Sequence, residues 1–146
     1  MIDELIKIYE RDLDRLEHEI VSFQNEDNLW KTRGSIINSA GNLCLHLVGN
    51  LNAYIGKNMG GYEYVRNRDA EFNLKNVPRD NLIQQVSEVK EIVLASLKKL
   101  EQETLEEIHI ENVLGYPMTN SFFLIHLIAH FSYHLGQINY IRRILE

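Results

Sequence analysis

Four stretches of the chain carry apolar residues at helical spacing. Over residues 2–24, Ile2, Leu5, Ile8, Tyr9, Leu13, Leu16, Ile20 and Phe23 line one face, charged residues fill the other, and no Gly or Pro intervenes. That period predicts an amphipathic helix. Residues 35–55 predict a second helix with a wide apolar face that includes Ile36, Ile37, Leu43, Cys44, Leu47 and Leu51. Gly41 and Gly49 interrupt it. Each lowers helix propensity by roughly 1 kcal/mol relative to Ala, and such a glycine often marks the close approach of a neighbour. Pro78 suits the first turn of a third helix, which Leu82, Val86, Val89, Val93 and Leu97 carry to about residue 101. A fourth follows the turn signal Gly115-Tyr116-Pro117, with Thr119 or Asn120 as its cap, and runs to about residue 145.

The links are uneven. Residues 56–78, GKNMGGYEYVRNRDAEFNLKNVP, form a long connection rich in Gly, Asn and charge. Links of that length are uncommon in a compact domain unless they perform a task or cross the length of a bundle. Within residues 103–120 the period is lost, and EEIHIENV alternates as a short extended strand would. The expected architecture is all-α: a four-helix bundle with long crossover links, one domain over residues 1–146.

Composition narrows the function. A 45% hydrophobic and 25% charged chain is of ordinary globular type. The formal net charge is −6, and the cations stand singly or in pairs such as Lys98-Lys99 and Arg142-Arg143. Nucleic acid is therefore not an expected partner, since its binding rests on clustered cations. The charged N-terminus lacks the apolar core of a signal peptide, and no stretch approaches the ~18 uncharged apolar residues of a membrane helix. The single cysteine, Cys44, excludes an intrachain disulfide. These features suit a cytoplasmic protein with no membrane partner.

The candidate chemistry is histidine chemistry. The fourth helix contains NSFFLIHLIAHFSYHLGQINYIRR, with His126, His130 and His134 four residues apart. Residues at that spacing share a helix face with Cβ atoms about 5–6 Å apart, so two adjacent imidazoles can grip one ion through bonds of about 2.0–2.1 Å. Three such rings span about 12 Å of axis, too far for one ion. A single-ion site takes His126 with His130, or His130 with His134, and needs a ligand from another helix. His46 stands on or beside the buried face of the second helix, and bundle cores are where facing helices build metal sites. Three imidazoles from two helices leave positions open for water or substrate, as in a catalytic rather than a structural site. The plain alternative is a set of hydrogen-bonded core or boundary histidines. His18 and His109, in charged surroundings, read as solvated, and Tyr133 reads as core. Gln137, one turn after His134, either orients a bound water or ligand or is a surface amide.

Two segments resemble a known family. LCLHLVGNLNAYIG is similar to the second-helix His motif of the DinB/YfiT-like metalloenzymes (not the DNA polymerase of the same name). HLIAHFSYHLGQINYIRRIL resembles their last-helix H-x-x-x-H-x-G-Q motif, and RNRDAEF, residues 66–72, resembles a subgroup of that superfamily. The resemblance covers essentially the whole chain. It implies a mononuclear site of His46, His130 and His134 that typically holds nickel or zinc, and it makes His126 a neighbour. It also implies a homodimer formed through the first and last helices. Characterised relatives include enzymes that conjugate or isomerise substrates with a low-molecular-weight thiol, and many other members have no known activity. Leu135 stands where many members carry Arg.

The RNRDAEF run has two readings of its own. Arg66, Arg68, Asp69 and Glu71 form a clip of local ion pairs that pins the long link to the bundle, or Arg66 or Arg68 leans over the open site and recognises a carboxylate or thiolate. The expected function is a metal-dependent enzyme, a thiol S-transferase acting on a small electrophile. The alternatives are a metal-dependent hydrolase, in which a loop Glu reaches the site as base, and a non-catalytic metal-binding dimer.

Overall fold

The computed structural model describes residues 1–146, and it is all-helical. Helix α1 (Ile2–Ser22) buries Leu5, Tyr9, Leu13, Leu16 and Ile20, the three- and four-residue spacing that lines one face. Asp3 and Glu4 sit in its first turn, where negative charge meets the positive end of the helix dipole. The Tyr9 hydroxyl donates to the Leu124 carbonyl at 2.7 Å and fastens α1 to the last helix. Glu19, also buried, accepts from Asn139 Nδ2 at 2.7 Å and Arg142 Nε at 2.9 Å on that same helix.

Helix α2 (Ala40–Leu51) is buried over its entire length. It starts five residues later than its apolar pattern predicts. Ser39 is the cap, its hydroxyl accepting from Asn42 N at 3.2 Å, and Ile37 ahead of it is 88% exposed. The apolar pair Ile36-Ile37 therefore belongs to the connection, which also carries a 3-10 turn over Glu26–Trp30. Trp30 packs on Gly41 so closely that an added Cβ would meet its ring at 2.8 Å. Beyond Leu51 the helix continues through one wider, π-helical turn, Asn52–Lys57. Such turns re-aim the side chains that follow them.

Helix α3 (Arg68–Asn73) is a single short element inside the long 56–78 link, capped by Asn67, and it packs on α2. Helix α4 (Arg79–Lys98) begins directly after Pro78 and buries Leu82, Val86, Val89, Val93 and Leu97 against α1 and α2. Each fully buried side chain of this kind contributes about 1.5–3 kcal/mol. Helix α5 (Gln102–Glu106) interrupts the second long link, and helix α6 (Asn120–Leu145) closes the bundle. The Thr119 hydroxyl caps α6 by accepting from Phe122 N at 3.1 Å. No helix is long and apolar enough to cross a membrane.

Three further expectations need correction. EEIHIENV does not form a strand; it makes only an isolated bridge between Ile108 and Thr119. Its alternation is real but inverted, since Ile108 and Ile110 are exposed and His109 between them is buried at 5%. His109 is therefore not solvated. Its Nδ1 meets Asn120 Oδ1 at 2.8 Å, its Nε2 meets Asn58 Nδ2 at 3.3 Å, and its ring lies 4.5 Å from that of Phe123. Tyr133 is not core: it is 66% exposed, on the outer face of α6 with Phe122, Ile125 and Tyr140.

Candidate metal centre

Within the apolar helix α2 runs one polar stripe, Asn42, His46 and Asn50, at four-residue spacing and buried throughout. A buried polar side chain must find partners, and most of these come from the 56–78 link. The Asn42 amide donates to the Glu71 carbonyl at 2.9 Å and the Leu74 carbonyl at 2.8 Å. His46 Nδ1 lies 3.0 Å from Glu71 Oε1. An ionised carboxylate only accepts, so Nδ1 carries the proton and Nε2 presents its lone pair. Arg66 grips the same carboxylate with both arms, Nε to Oε2 at 2.9 Å and Nη2 to Oε1 at 3.0 Å. Burial alone would raise the Glu71 carboxyl; the bonds from His46 and Arg66 outweigh it and hold the group below its usual range. This contact needs Gly49, because a Cβ there would overlap the Glu71 carboxylate.

Helix α6 brings His130 and His134 to His46. His46 Nε2 and His130 Nε2 are 3.1 Å apart, and one donor nitrogen from each of the three rings lies within 4.8 Å of the others. The rings stand at 74°, 89° and 86° to one another, with centroids 5.1, 5.2 and 4.6 Å apart. His134 Nδ1 donates to Gln137 Oε1 at 2.7 Å, so its Nε2 is free to bind. Gln137 thus orients the imidazole itself. Burial, then the neighbouring His134 and His46, pushes His130 down to about 4. Burial lowers His134 as well, against the opposing bond to Gln137. Both rings are neutral at pH 7, the form that ligates a metal.

The donor set suits a metal ion. Two nitrogens at about 2.0–2.1 Å from one ion lie about 2.9–3.4 Å apart for angles between octahedral and tetrahedral, and the His46–His130 separation of 3.1 Å falls in that interval. Two of the three imidazoles already have their remote nitrogen held by an oxygen acceptor, the arrangement that orients ligating histidines. His130 is the exception, with its Nδ1 buried and unpartnered. These three histidines could hold a metal ion.

The remaining residues singled out in the sequence divide into two groups. His126 is outside the converging set, stacked on Phe123 at 6.1 Å and 12°. It does line a cavity of about 300 Å³ beside the triad, together with His46, His130, Asn50, Arg66 and Arg68. Arg66 serves as the clip; Arg68 lines the cavity. Leu135 is in the core. Sequence reasoning missed Asn42, Asn50 and the bond of Glu71 to His46. The readable signal was the stripe of polar residues four apart in an otherwise apolar helix.

A family model described as "Protein of unknown function (DUF1572)" matches residues 2–146. The chain belongs to that family. No curated protein matches it. Among solved structures it is similar to a conserved protein from Enterococcus faecalis, with a TM-score of 0.77 at 15% identity over 98% of this chain and 95% of the other. It is also similar to a DinB-like protein from Bacillus cereus, with a TM-score of 0.75 at 17% identity over 98% and 91%. At that identity the likeness establishes the fold, an all-α DinB-like bundle, as its sequence resemblance implied.

Proposed function

We propose that the chain is a metal-dependent enzyme in which His46, His130 and His134 hold one nickel or zinc ion, and that it transfers a low-molecular-weight thiol to a small electrophile. The observation that carries this reading is the convergence of three imidazole nitrogens from α2 and α6 within 4.8 Å, beside a cavity. The ion would supply acidification of a coordinated thiol, holding it as the thiolate. Glu71 and Gln137 fix the tautomers of His46 and His134 and aim their Nε2 lone pairs inward. The reacting thiol comes from outside the chain, because Cys44 is fully buried and pushed up to about 12 by that burial.

The hydrolytic alternative has less support. Glu71 is the loop carboxylate that reaches the triad, but both of its oxygens are engaged and its carboxyl is held below the usual range, which makes it a poor base. A second copy of the chain is the proposed partner. On α6, Phe122, Ile125, Tyr133 and Tyr140 form an exposed apolar stripe opposite the core face, and such a face pairs with itself about a two-fold axis. A Tyr133→Glu chain that still elutes with the size of the unmodified protein would count against that pairing.

The decisive experiment is metal analysis of untagged protein followed by a thiol-transfer assay. The expected result is one equivalent of nickel or zinc, lost in His46→Ala, with metal-dependent transfer to an epoxide or chloro-electrophile absent in His134→Ala. Metal that survives both His46→Ala and His130→Ala sinks the triad. Full metal with no turnover across a panel of thiols leaves a non-catalytic metal-binding bundle.

A further inference from the structure

The cavity beside the triad differs in charge from the molecule around it. The chain has a formal net charge of −6, yet the residues lining this cavity include Arg66, Arg68, His46, His126 and His130 and no carboxylate. The two arginines are not equivalent. Arg66 is neutralised by its two-armed bond to Glu71. Arg68 lies with its guanidinium 5.9 Å from the centre of the Phe72 ring, and no carboxylate lies within ion-pair distance of it. On the α2 side, Asn50 lines the cavity at 6% exposure, and its Oδ1 is buried without a partner. A buried amide oxygen left unpaired is costly, and a donor from a ligand removes that cost.

We infer that this cavity binds a small monocarboxylate bearing a hydroxyl or amino group, with Arg68 as the cation that recognises the carboxylate and Asn50 as acceptor for the second group. One free guanidinium matches one negative charge and offers paired N–H donors to its two oxygens; a phosphate dianion would find only half of its charge met. A volume of about 300 Å³ suits a small ligand. The inference deepens the reading of the triad as a reaction centre and rests on it for the role of the bound molecule, which would present its carboxylate at Arg68 and its remaining atoms to the imidazoles. Arg68 is exposed and outside the core, so its replacement leaves the bundle intact.

The test is nitrogen-15 NMR titration of the full chain, metal-free and zinc-loaded, with lactate, glycerate and serine, their neutral primary amides, and inorganic phosphate. At least one carboxylate should shift the Arg68 Nε and Asn50 side-chain signals. Its amide and phosphate should bind at least about tenfold more weakly, and Arg68→Gln should weaken it by a similar factor in both forms, the loss of one charge-assisted hydrogen bond. Asn50→Ala should weaken the same carboxylate while leaving its preference over the amide. Unchanged affinity in Arg68→Gln, equal binding of the amides, tighter binding of phosphate, or no shift with any carboxylate overturns the inference. Binding that appears only with zinc and ignores Arg68→Gln overturns it too, and leaves the metal site standing. Failure of the unmodified chain to take up zinc, with Arg68-dependent binding intact, overturns the metal reading instead.

Discussion

His46 and His109 are equally buried, at 5% exposure each, and both contact a residue on a distant part of the chain, Glu71 and Asn58 respectively. They differ in what surrounds them. Both nitrogens of His109 have amide partners, Asn120 and Asn58, and Asn120 in turn donates to the Thr104 carbonyl at 2.8 Å. This network is closed and fixes the second long link against α6. At His46 one nitrogen is held by Glu71 and the other pairs with His130 Nε2 at 3.1 Å, but His130 Nδ1 and Asn50 Oδ1 nearby have no partner. A satisfied buried histidine is structure; three histidines whose ring nitrogens converge, one of them with its remote nitrogen unpartnered, can do something else. Burial alone does not separate the two, and the count of unmet hydrogen bonds does.

The comparison can be broken at either end. The largest effect should come from His109→Ala, which leaves a cavity beside Phe123 and strips partners from two asparagines. Denaturant unfolding should show a loss of about 3 kcal/mol, with metal content unchanged. Next is Glu71→Gln, which removes the charge that orients His46. Metal affinity should fall about 10–100-fold by chelator competition while the bundle stays folded. Acid should also destabilise the metal-free protein. His130 protonates near 6.5 when unfolded and only near 4 when folded, so between those values the unfolded chain binds more protons, and stability falls as pH drops from 6.5 towards 4. Thermal melts across that window should show the decline, and His130→Gln should flatten it. The smallest effect is expected from His126→Ala, which should keep the full metal content, since its ring stacks on Phe123 outside the converging set.

The four long helices were legible because their apolar residues recur at helical spacing, and the three histidines that converge could be picked out by four-residue spacing and an upstream partner on an apolar helix. What escaped was set by contacts between distant parts of the chain. Glu71 lies 25 positions from His46 in a stretch without period, and nothing local says that it folds back. Glu106, Glu107 and Glu111 pointed His109 towards solvent, yet the backbone alternation turns the ring inward and the flanking isoleucines outward. The place of Tyr133 is not legible because α6 is apolar on two faces, and its period cannot say which of them meets the bundle. The late start of α2 follows from the Ser39 cap, which overrides the apolar pair ahead of it.

Gly49 gives this arrangement a hereditary consequence. An alanine there would be tolerated by the backbone of α2, yet it would evict the Glu71 carboxylate and with it the Arg66 clip and the anchor of His46. A descendant carrying that one methyl group would keep its bundle outline and all three histidines while losing the order of its centre. Among related chains, the residue at this position thus tells whether a carboxylate can seat against His46, which neither the fold nor the histidine motif reveals.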